Sequence, residues 1–309
     1  MSDVYLSLII PVYNGETTIQ SLFNQIDDFC KKNQFKFEVI FVWDCGIDDS
    51  WKVIEAIQLK HPGVVCGIHL SRNFGQHNAI LAGINKASGN YIITMDEDLQ
   101  HDPKDILLLL EKQKSTNADV VYGKYSKLNH PLFRKITSRI MRKLLQIGLP
   151  DLYNEYSAFR LIKSSIAKET TKMSNSYTFL DGYLSWLTNN VKHVIVSHNE
   201  RKGGKSAYST KQLVEHSINI FVTFSKLPTR LLGKLSFIIF CSTFIYSIYI
   251  LLRVLIRDDM SMGFPTIIIL LGVGVGSIML GIGVLGEYLY RVNLKTTKRP
   301  NYFIKKILD

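Results

Sequence analysis

The sequence predicts an α/β protein whose sheet is mostly parallel and wound with helices, followed by helices that meet and cross a membrane. Three observations predict it. Short apolar runs alternate with segments carrying apolar residues at helical spacing through the first 120 or so positions, the pattern of a right-handed wound parallel sheet. One of those runs stops at a knot of acidic groups, Asp96-Glu97-Asp98, where a strand of an open sheet delivers side chains to the ligand crevice. The chain has 309 residues and 46% hydrophobic content, and its apolar surplus is concentrated after residue 234.

Val4 to Ile10 reads as a first buried strand ending at Pro11-Val12-Tyr13-Asn14-Gly15-Glu16. It is too short, and too soon broken by Pro11, for a signal peptide. From Thr17 to Lys32, Ile19, Leu22, Phe23, Ile26 and Phe29 mark one helix face. Phe37 to Val42 is a second strand, closing at Trp43-Asp44-Cys45-Gly46-Ile47-Asp48-Asp49-Ser50, and a helix runs from about Trp51 to Lys60. Val64 to Leu70 and Asn78 to Ala87 repeat the unit, and Tyr91 to Met95 is the strand that ends at Asp96. In a parallel wound sheet the loops after these strands share one edge, so Asn14, Asp44, Asp96 and Asp98 are expected to converge.

Two aspartates one residue apart suit a hard divalent cation, which takes oxygen ligands and bridges to phosphate; the same residues also suit a solvated turn capping the next helix. Four cysteines, Cys30, Cys45, Cys66 and Cys241, show no paired spacing, which argues against a zinc site or disulfide framework and for reduced cytosolic thiols. The net charge of +11 fits an anionic membrane face or phosphorylated substrates. Nucleic acid ranks low, because no stacking platform or nucleic-acid motif accompanies the charge.

Pro11-Val-Tyr-Asn14, the acidic loop Asp44 to Ser50, Leu70-Ser-Arg-Asn-Phe-Gly75-Gln76 and Met95-Asp-Glu-Asp-Leu-Gln100 resemble inverting family 2 glycosyltransferases of the GT-A fold. The resemblance is to the branch of dolichol-phosphate mannose synthase and the bacterial polyprenyl-phosphate glycosyltransferases. It continues to Gly286-Glu-Tyr-Leu-Tyr-Arg291 and Lys298-Arg-Pro-Asn-Tyr302. It implies a nucleotide-sugar site built from Pro11, Tyr13, Asn14, Glu16, Asp44, Arg72, Gln76, Asp96, Lys205 and Ser206, with Asp44 accepting a hydrogen bond from the nucleobase. It implies Mg²⁺ or Mn²⁺ on Asp96 and Asp98, with Gln100 as ligand or support. The loop His198 to Tyr208 resembles the family's flexible basic loop, in which Arg201, Lys205 and Ser206 meet the donor diphosphate; an exposed linker is the alternative. Arg134 and Ser138 fall where relatives hold an acceptor phosphate.

Two positions depart from the family pattern. Trp43 replaces an aspartate, either packing or stacking on the base. Ala158 stands before Phe159-Arg160-Leu161 where many members carry a catalytic aspartate, leaving Glu155 or Asp151 as substitutes. A phosphate acceptor is already anionic near neutral pH and needs no strong base, whereas a sugar hydroxyl does. The Arg72 to Gln76 loop shapes the nucleotide pocket or simply caps the next helix.

From Lys124 to Lys143 the chain is basic with interleaved apolar residues, either a solvated face or an interfacial helix on anionic lipid. Lys211 to Leu232 is amphipathic and suits the membrane surface. Leu235 to Leu252 and Phe264 to Gly286 are uncharged, long enough to cross the hydrocarbon, which takes about 20 residues. Glycines in the second stretch permit a hairpin or a homo-oligomer. Basic flanks place both outer ends in the cytosol. The expected organisation is a cytosolic catalytic domain over 1–210, juxtamembrane helices over 211–233, a two-helix hairpin over 234–290 and a basic cytosolic tail over 291–309.

The function expected is a multi-pass enzyme of the bacterial inner membrane. It would move one sugar from a nucleotide sugar, UDP-linked, to polyprenyl (undecaprenyl) phosphate at the cytosolic leaflet for cell-envelope glycan synthesis. The alternatives are transfer to a saccharide hydroxyl and, from another class, an inactive membrane scaffold. The Gln-x-x-Arg-Trp motif of processive synthases is absent, since Trp occurs only at 43, 51 and 186.

Overall fold

The computed structural model describes residues 5–125, 152–175, 177–197, 263–296 and 300–309, with single positions between 219 and 256. Among them the strands are β1 (Tyr5–Val12), β2 (Lys36–Trp43), β3 (Val65–Leu70), β4 (Tyr91–Thr94), β5 (Val120–Tyr125), β6 (Arg160–Lys163), β7 (Val191–Val196) and β8 (Ile304–Leu308). The helices are α1 (Ile19–Lys32), α2 (Ser50–Lys60), α3 (Gln76–Lys86), α4 (Ile106–Thr116), α5 (Ser164–Thr171), α6 (Leu180–Leu187) and α7 (Gly263–Thr296). The first three βα units and the fourth strand appear as expected, their bounds moved by one or two residues; α4 after that strand was not foreseen.

One sheet of eight strands runs in the order β7-β5-β6-β4-β1-β2-β3-β8. β1 pairs in parallel with β2 and β4, and β2 with β3. β6 lies antiparallel between β4 and β5, and β8 antiparallel on the outer edge of β3.

β1 is buried along nearly its whole length because helices cover both faces of the sheet. Leu6, Leu8, Ile10 and Val12 pack with Ile19, Phe23 and Ile26 of α1, Ile54 and Ile57 of α2 and Leu109 of α4. On the opposite face Ile9, Ile40 and Val42 meet Ile80 and Ile84 of α3, Ala167 of α5 and Tyr183 and Leu184 of α6. The period-two alternation of a strand thus feeds two apolar layers. α3 sits close because Gly83 faces the sheet: a Cβ there would come within 2.5 Å of Ile9 Cγ2.

Two expectations about the chain beyond β4 are corrected. Residues 304–308 are not a free basic tail but strand β8, with Gly67 opposite Leu308 and His69 opposite Lys306. Apolar Ile304, Ile307 and Leu308 make the strand, because the β3 edge offers an unpaired ladder. Lys124 does not open a basic helix: it lies in β5, and its ammonium pairs with Glu155 at 2.8 Å. The remainder of that basic stretch lies outside the described residues.

α7 is 34 residues long, about 51 Å at helical rise, and contains the predicted second span. Its segment Val273–Asn293 is the one described helix long and apolar enough to cross a membrane. A shorter apolar helix, Phe237–Tyr246, falls in the predicted first span, so among the described residues one helix is long and apolar enough to cross where two are expected. Arg291 of α7 bonds Glu287 at 2.7 Å, Thr223 at 2.8 Å and Asn219 at 3.3 Å. Ile220 beside them is buried in the core layer shared with α3 and α6, which ties α7 to the sheet domain.

Candidate active site

The parallel pairing of β1, β2, β3 and β4 brings their exit loops to one edge, as the sequence implies. Asp44 N–H bonds Val12 O at 2.9 Å and Met95 N–H bonds Ile9 O at 3.2 Å, so the chain turns out of the sheet at matching levels.

The first two loops are laced together. Pro11 is still in β1, opposite Val42. Asn14 adopts a left-handed backbone, φ 59°, and its Oδ1 accepts the Ile47 N–H at 2.8 Å. Glu16 N–H donates to Asp48 Oδ2 at 2.9 Å, and Glu16 Oε2 accepts the Asp49 N–H at 3.2 Å. Ser50 Oγ accepts the Gly15 N–H at 2.9 Å and donates to Asp48 Oδ1 at 2.6 Å. Tyr13 is exposed at the lip, 40% open to solvent. Asn14, Glu16 and Asp48 therefore shape the loops locally.

Asp44 is buried, and both its oxygens are engaged. Oδ1 accepts the Phe74 N–H at 2.7 Å and Oδ2 the Gly75 N–H at 2.8 Å. Burial pushes its carboxyl up to about 6 although both amides pull it down, a balance of desolvation against hydrogen bonding. The family resemblance implies a partner on the nucleobase; the geometry shows two on the β3–α3 loop. In that loop the Arg72 guanidinium lies 4.7 Å over the Phe74 ring. Gln76 Nε2 donates to Asp96 Oδ1 at 2.6 Å.

Of the two roles open to Trp43, packing is the one observed. Its ring meets His69 edge-on at 4.5 Å and Trp51 at 6.0 Å. That direction follows from strand alternation, since Phe37, Val39 and Phe41 share its face.

Beyond β4 the chain turns tightly, with Leu99 at φ 62°. Asp98 Oδ1 accepts the Gln100 N–H at 3.2 Å. Asp96 N–H donates to His101 Nδ1 at 3.2 Å, which leaves the ring proton on Nε2, 2.5 Å from the Tyr125 hydroxyl. Buried His101 stacks on Tyr125 and Phe159 and anchors the acidic turn from behind. Burial, with Asp96 and Asp98 nearby, pushes the Tyr125 hydroxyl up. Glu97 turns inward towards Gly15; burial, then Asp96, push its carboxyl up to about 8.

Among the described residues no three His, Cys, Asp or Glu side chains cluster as a complete metal cage. Asp96 and Asp98 fit the other arrangement used by Mg²⁺ and Mn²⁺, one or two carboxylates completed by substrate phosphates and water.

Behind the site Arg160 and Asp181 form an ion pair, 2% and 4% exposed. Asp181 also accepts the Tyr122 hydroxyl at 2.7 Å, and Arg160 Nε donates to Thr94 Oγ1 at 3.0 Å. Thr94 Oγ1 in turn donates to Ala158 O at 2.6 Å. Sequence reasoning missed Asp181, Tyr122 and His101; the one available signal was the charge of Asp181 inside an apolar helix. Glu155, the candidate base, is half-buried and bound to Lys124. Arg134, Ser138, Asp151, Arg201, Lys205 and Ser206 lie outside the described residues.

Residues 7–171 match the family described as Glycosyl transferase family 2. The prophage bactoprenol glucosyl transferase homolog of Escherichia coli (strain K12) is 29% identical over 304 residues, covering 98% of this chain and 99% of that protein. The undecaprenyl-phosphate 4-deoxy-4-formamido-L-arabinose transferase of Serratia proteamaculans (strain 568) is 29% identical over 306 residues, covering 98% and 94%. Among solved structures, glucosyl-3-phosphoglycerate synthase from Mycobacterium tuberculosis, crystallised with Mn²⁺, UDP-glucose and phosphoglyceric acid, superposes with a TM-score of 0.52. It is 16% identical and covers 72% of this chain and 78% of its own, a likeness of fold. With an acidic turn at the end of β4, a sheet of GT-A order and a family match over most of that sheet, the chain belongs to glycosyl transferase family 2 and is a glycosyltransferase.

Proposed function

We propose that this glycosyltransferase moves a single sugar, with inversion, from a UDP-sugar to polyprenyl phosphate at the cytosolic face of a bacterial membrane. The observation that carries the proposal is similarity over 98% of the chain, α7 included, to a bactoprenol glucosyl transferase homolog. A soluble acceptor would not call for a 34-residue apolar helix tied to the catalytic domain. Membrane residence, multi-pass with both ends cytosolic, belongs to the same proposal.

In this reading Pro11, Tyr13, Asn14 and Glu16 border the nucleoside end of the donor site. Asp96 and Asp98 hold Mg²⁺ or Mn²⁺, with Gln100 beside them. When bound, the ion stabilises the negative charge that develops on the leaving diphosphate. Arg201, Lys205 and Ser206 contact that diphosphate, and Arg134 and Ser138 receive the acceptor phosphate. The acceptor oxygen attacks C1 in line. Being anionic already, it needs no proton removed, which fits Glu155 held by Lys124 and an alanine at 158.

The test uses full-length protein in detergent with undecaprenyl phosphate, Mg²⁺ or Mn²⁺, and a panel of nucleotide sugars, read by mass spectrometry of the lipid. A single glycosyl addition that Asp98→Asn abolishes is the expected result. Donor hydrolysis with bare lipid would reject the phosphate acceptor and favour a saccharide hydroxyl. No metal-dependent nucleotide binding at all would favour the inactive scaffold.

A further inference from the structure

The β3–α3 loop touches both ends of the proposed donor site and is held at each. At one end the buried Asp44 carboxylate takes the Phe74 and Gly75 amides at 2.7 and 2.8 Å. At the other, the next residue, Gln76, donates to Asp96 Oδ1 at 2.6 Å. Three successive residues thus run from one carboxylate to another across the sheet edge between β2 and β4. The span is short and stiff. Gly75 has φ 90° and ψ 152°, a region open essentially to glycine alone, and its N–H is also met by Asn73 Oδ1 at 3.0 Å. Gln76 is the first residue of α3, so its backbone is fixed by a helix whose buried face packs on β1 and β2.

A carboxylate that must bind a cation is a better ligand when its second oxygen is already oriented. Gln76 does this for Asp96, by holding Oδ1. Asp44 in turn determines where Gln76 begins. We propose that Asp44 and Gln76 are positioning residues acting as one strut, through which the geometry of the β2 exit sets the orientation of the Asp96 carboxylate. This rests on the proposed role of Asp96 and Asp98. It also gives Asp44 work that does not involve a nucleobase.

The strut makes a prediction that a base contact does not. Mn²⁺ binding is followed by electron paramagnetic resonance with inorganic pyrophosphate, which supplies phosphate oxygens and no base. Gln76→Ala is expected to weaken Mn²⁺ retention by about tenfold, as for other groups that orient a metal ligand. Asp44→Asn has one acceptor for two amides and is expected to weaken it in the same direction, by less. The double variant is expected to lose no more than Gln76→Ala alone, because both changes act through one contact. Hydrogen exchange over 71–79 reports the loop directly: Asp44→Asn raises it, Gln76→Ala leaves the Phe74 and Gly75 amides protected, and unchanged thermal midpoints show that each variant is folded.

If Asp44→Asn binds Mn²⁺–pyrophosphate as tightly as wild type and loses only uridine affinity, Asp44 serves the base and the strut is wrong. Additive losses in the double variant overturn it as well. If wild type retains no Mn²⁺ in a manner abolished by Asp98→Asn, the metal role itself fails and the strut goes with it. Failure of the coupling alone leaves that Asp98 dependence intact.

Discussion

Asp44 shows how one residue can oppose stability to function. Its carboxyl sits at about 6, above the ordinary value of 3.8, because burial outweighs two amide hydrogen bonds. A group whose folded value is raised contributes stability that is complete below the unfolded value and is lost as pH rises through the folded one. The ionised form that clamps Phe74 and Gly75 therefore costs folding free energy above about pH 6. The clamp runs the other way, since only the carboxylate accepts from both the Phe74 and Gly75 amides. Affinity for a nucleotide sugar such as UDP-glucose, whose phosphates do not titrate nearby, is expected to fall below about pH 6 without a matching fall in thermal midpoint. Among the facing groups the Cys45 thiol is pushed up by burial and Asp44, and the His69 imidazole is pushed down by burial, Lys305 and Lys306. Calorimetric titration of wild type and Asp44→Asn across that range checks it: the variant should lack the acid limb.

At the scale of elements, the joint between β4, β6 and α6 is polar where its surroundings are apolar. Arg160 and Asp181 are charged, almost wholly buried and paired, with Tyr122 and Thr94 as further hydrogen-bond partners. Such a pair adds little net stability, yet removing one partner strands a buried charge. Asp181→Ala is expected to destabilise the protein by about 3–5 kcal/mol, and Arg160→Met combined with Asp181→Leu to recover much of the loss. Urea unfolding of the three proteins in detergent decides the matter; equal losses in the single and double variants would show that the pair is not coupled. Because Thr94 also bonds Ala158 O, the joint aligns the segment before Phe159 with the end of β4.

Over the whole molecule, the chain leaves α7 and returns to the sheet. Ser71 N–H bonds Phe303 O at 2.9 Å, at the root of the β3–α3 loop. Asp309 pairs with Lys86 at 2.7 Å, and its backbone O accepts the Gln58 amide at 2.7 Å. The long apolar helix α7 and the root of the β3–α3 loop are therefore connected through one edge strand. Ending the chain after Asn301 is expected to lower the thermal midpoint, weaken nucleotide binding and expose a β3 edge prone to association. Thermal scans, calorimetry and light scattering measure the three effects; wild-type nucleotide affinity in the truncated chain would show that β8 has no hold on the site.

The winding of β1 through β4 and the meeting of Asn14, Asp44, Asp96 and Asp98 at one edge were legible in the sequence. Apolar periodicity is local, and parallel strands joined by right-handed crossovers must send their exits to the same side. The apolar character of α7 was legible for the same reason, being a property of consecutive residues. Other features depend on partners distant along the chain. β8 is a strand because β3, over 230 positions earlier, leaves an edge to pair with. Asp181 is tolerated in an apolar helix because Arg160 and Tyr122 arrive from two other strands. Trp43 packs because Trp51 and His69 converge on its face. Asp44 was expected to accept from a nucleobase; that it holds the Phe74 and Gly75 amides depends on the β3–α3 loop packing beside it. Residue type and spacing determined which groups reach the site; the tertiary structure decided which groups each of them holds, since a hydrogen bond is made only where chain packing brings donor and acceptor within about 3 Å.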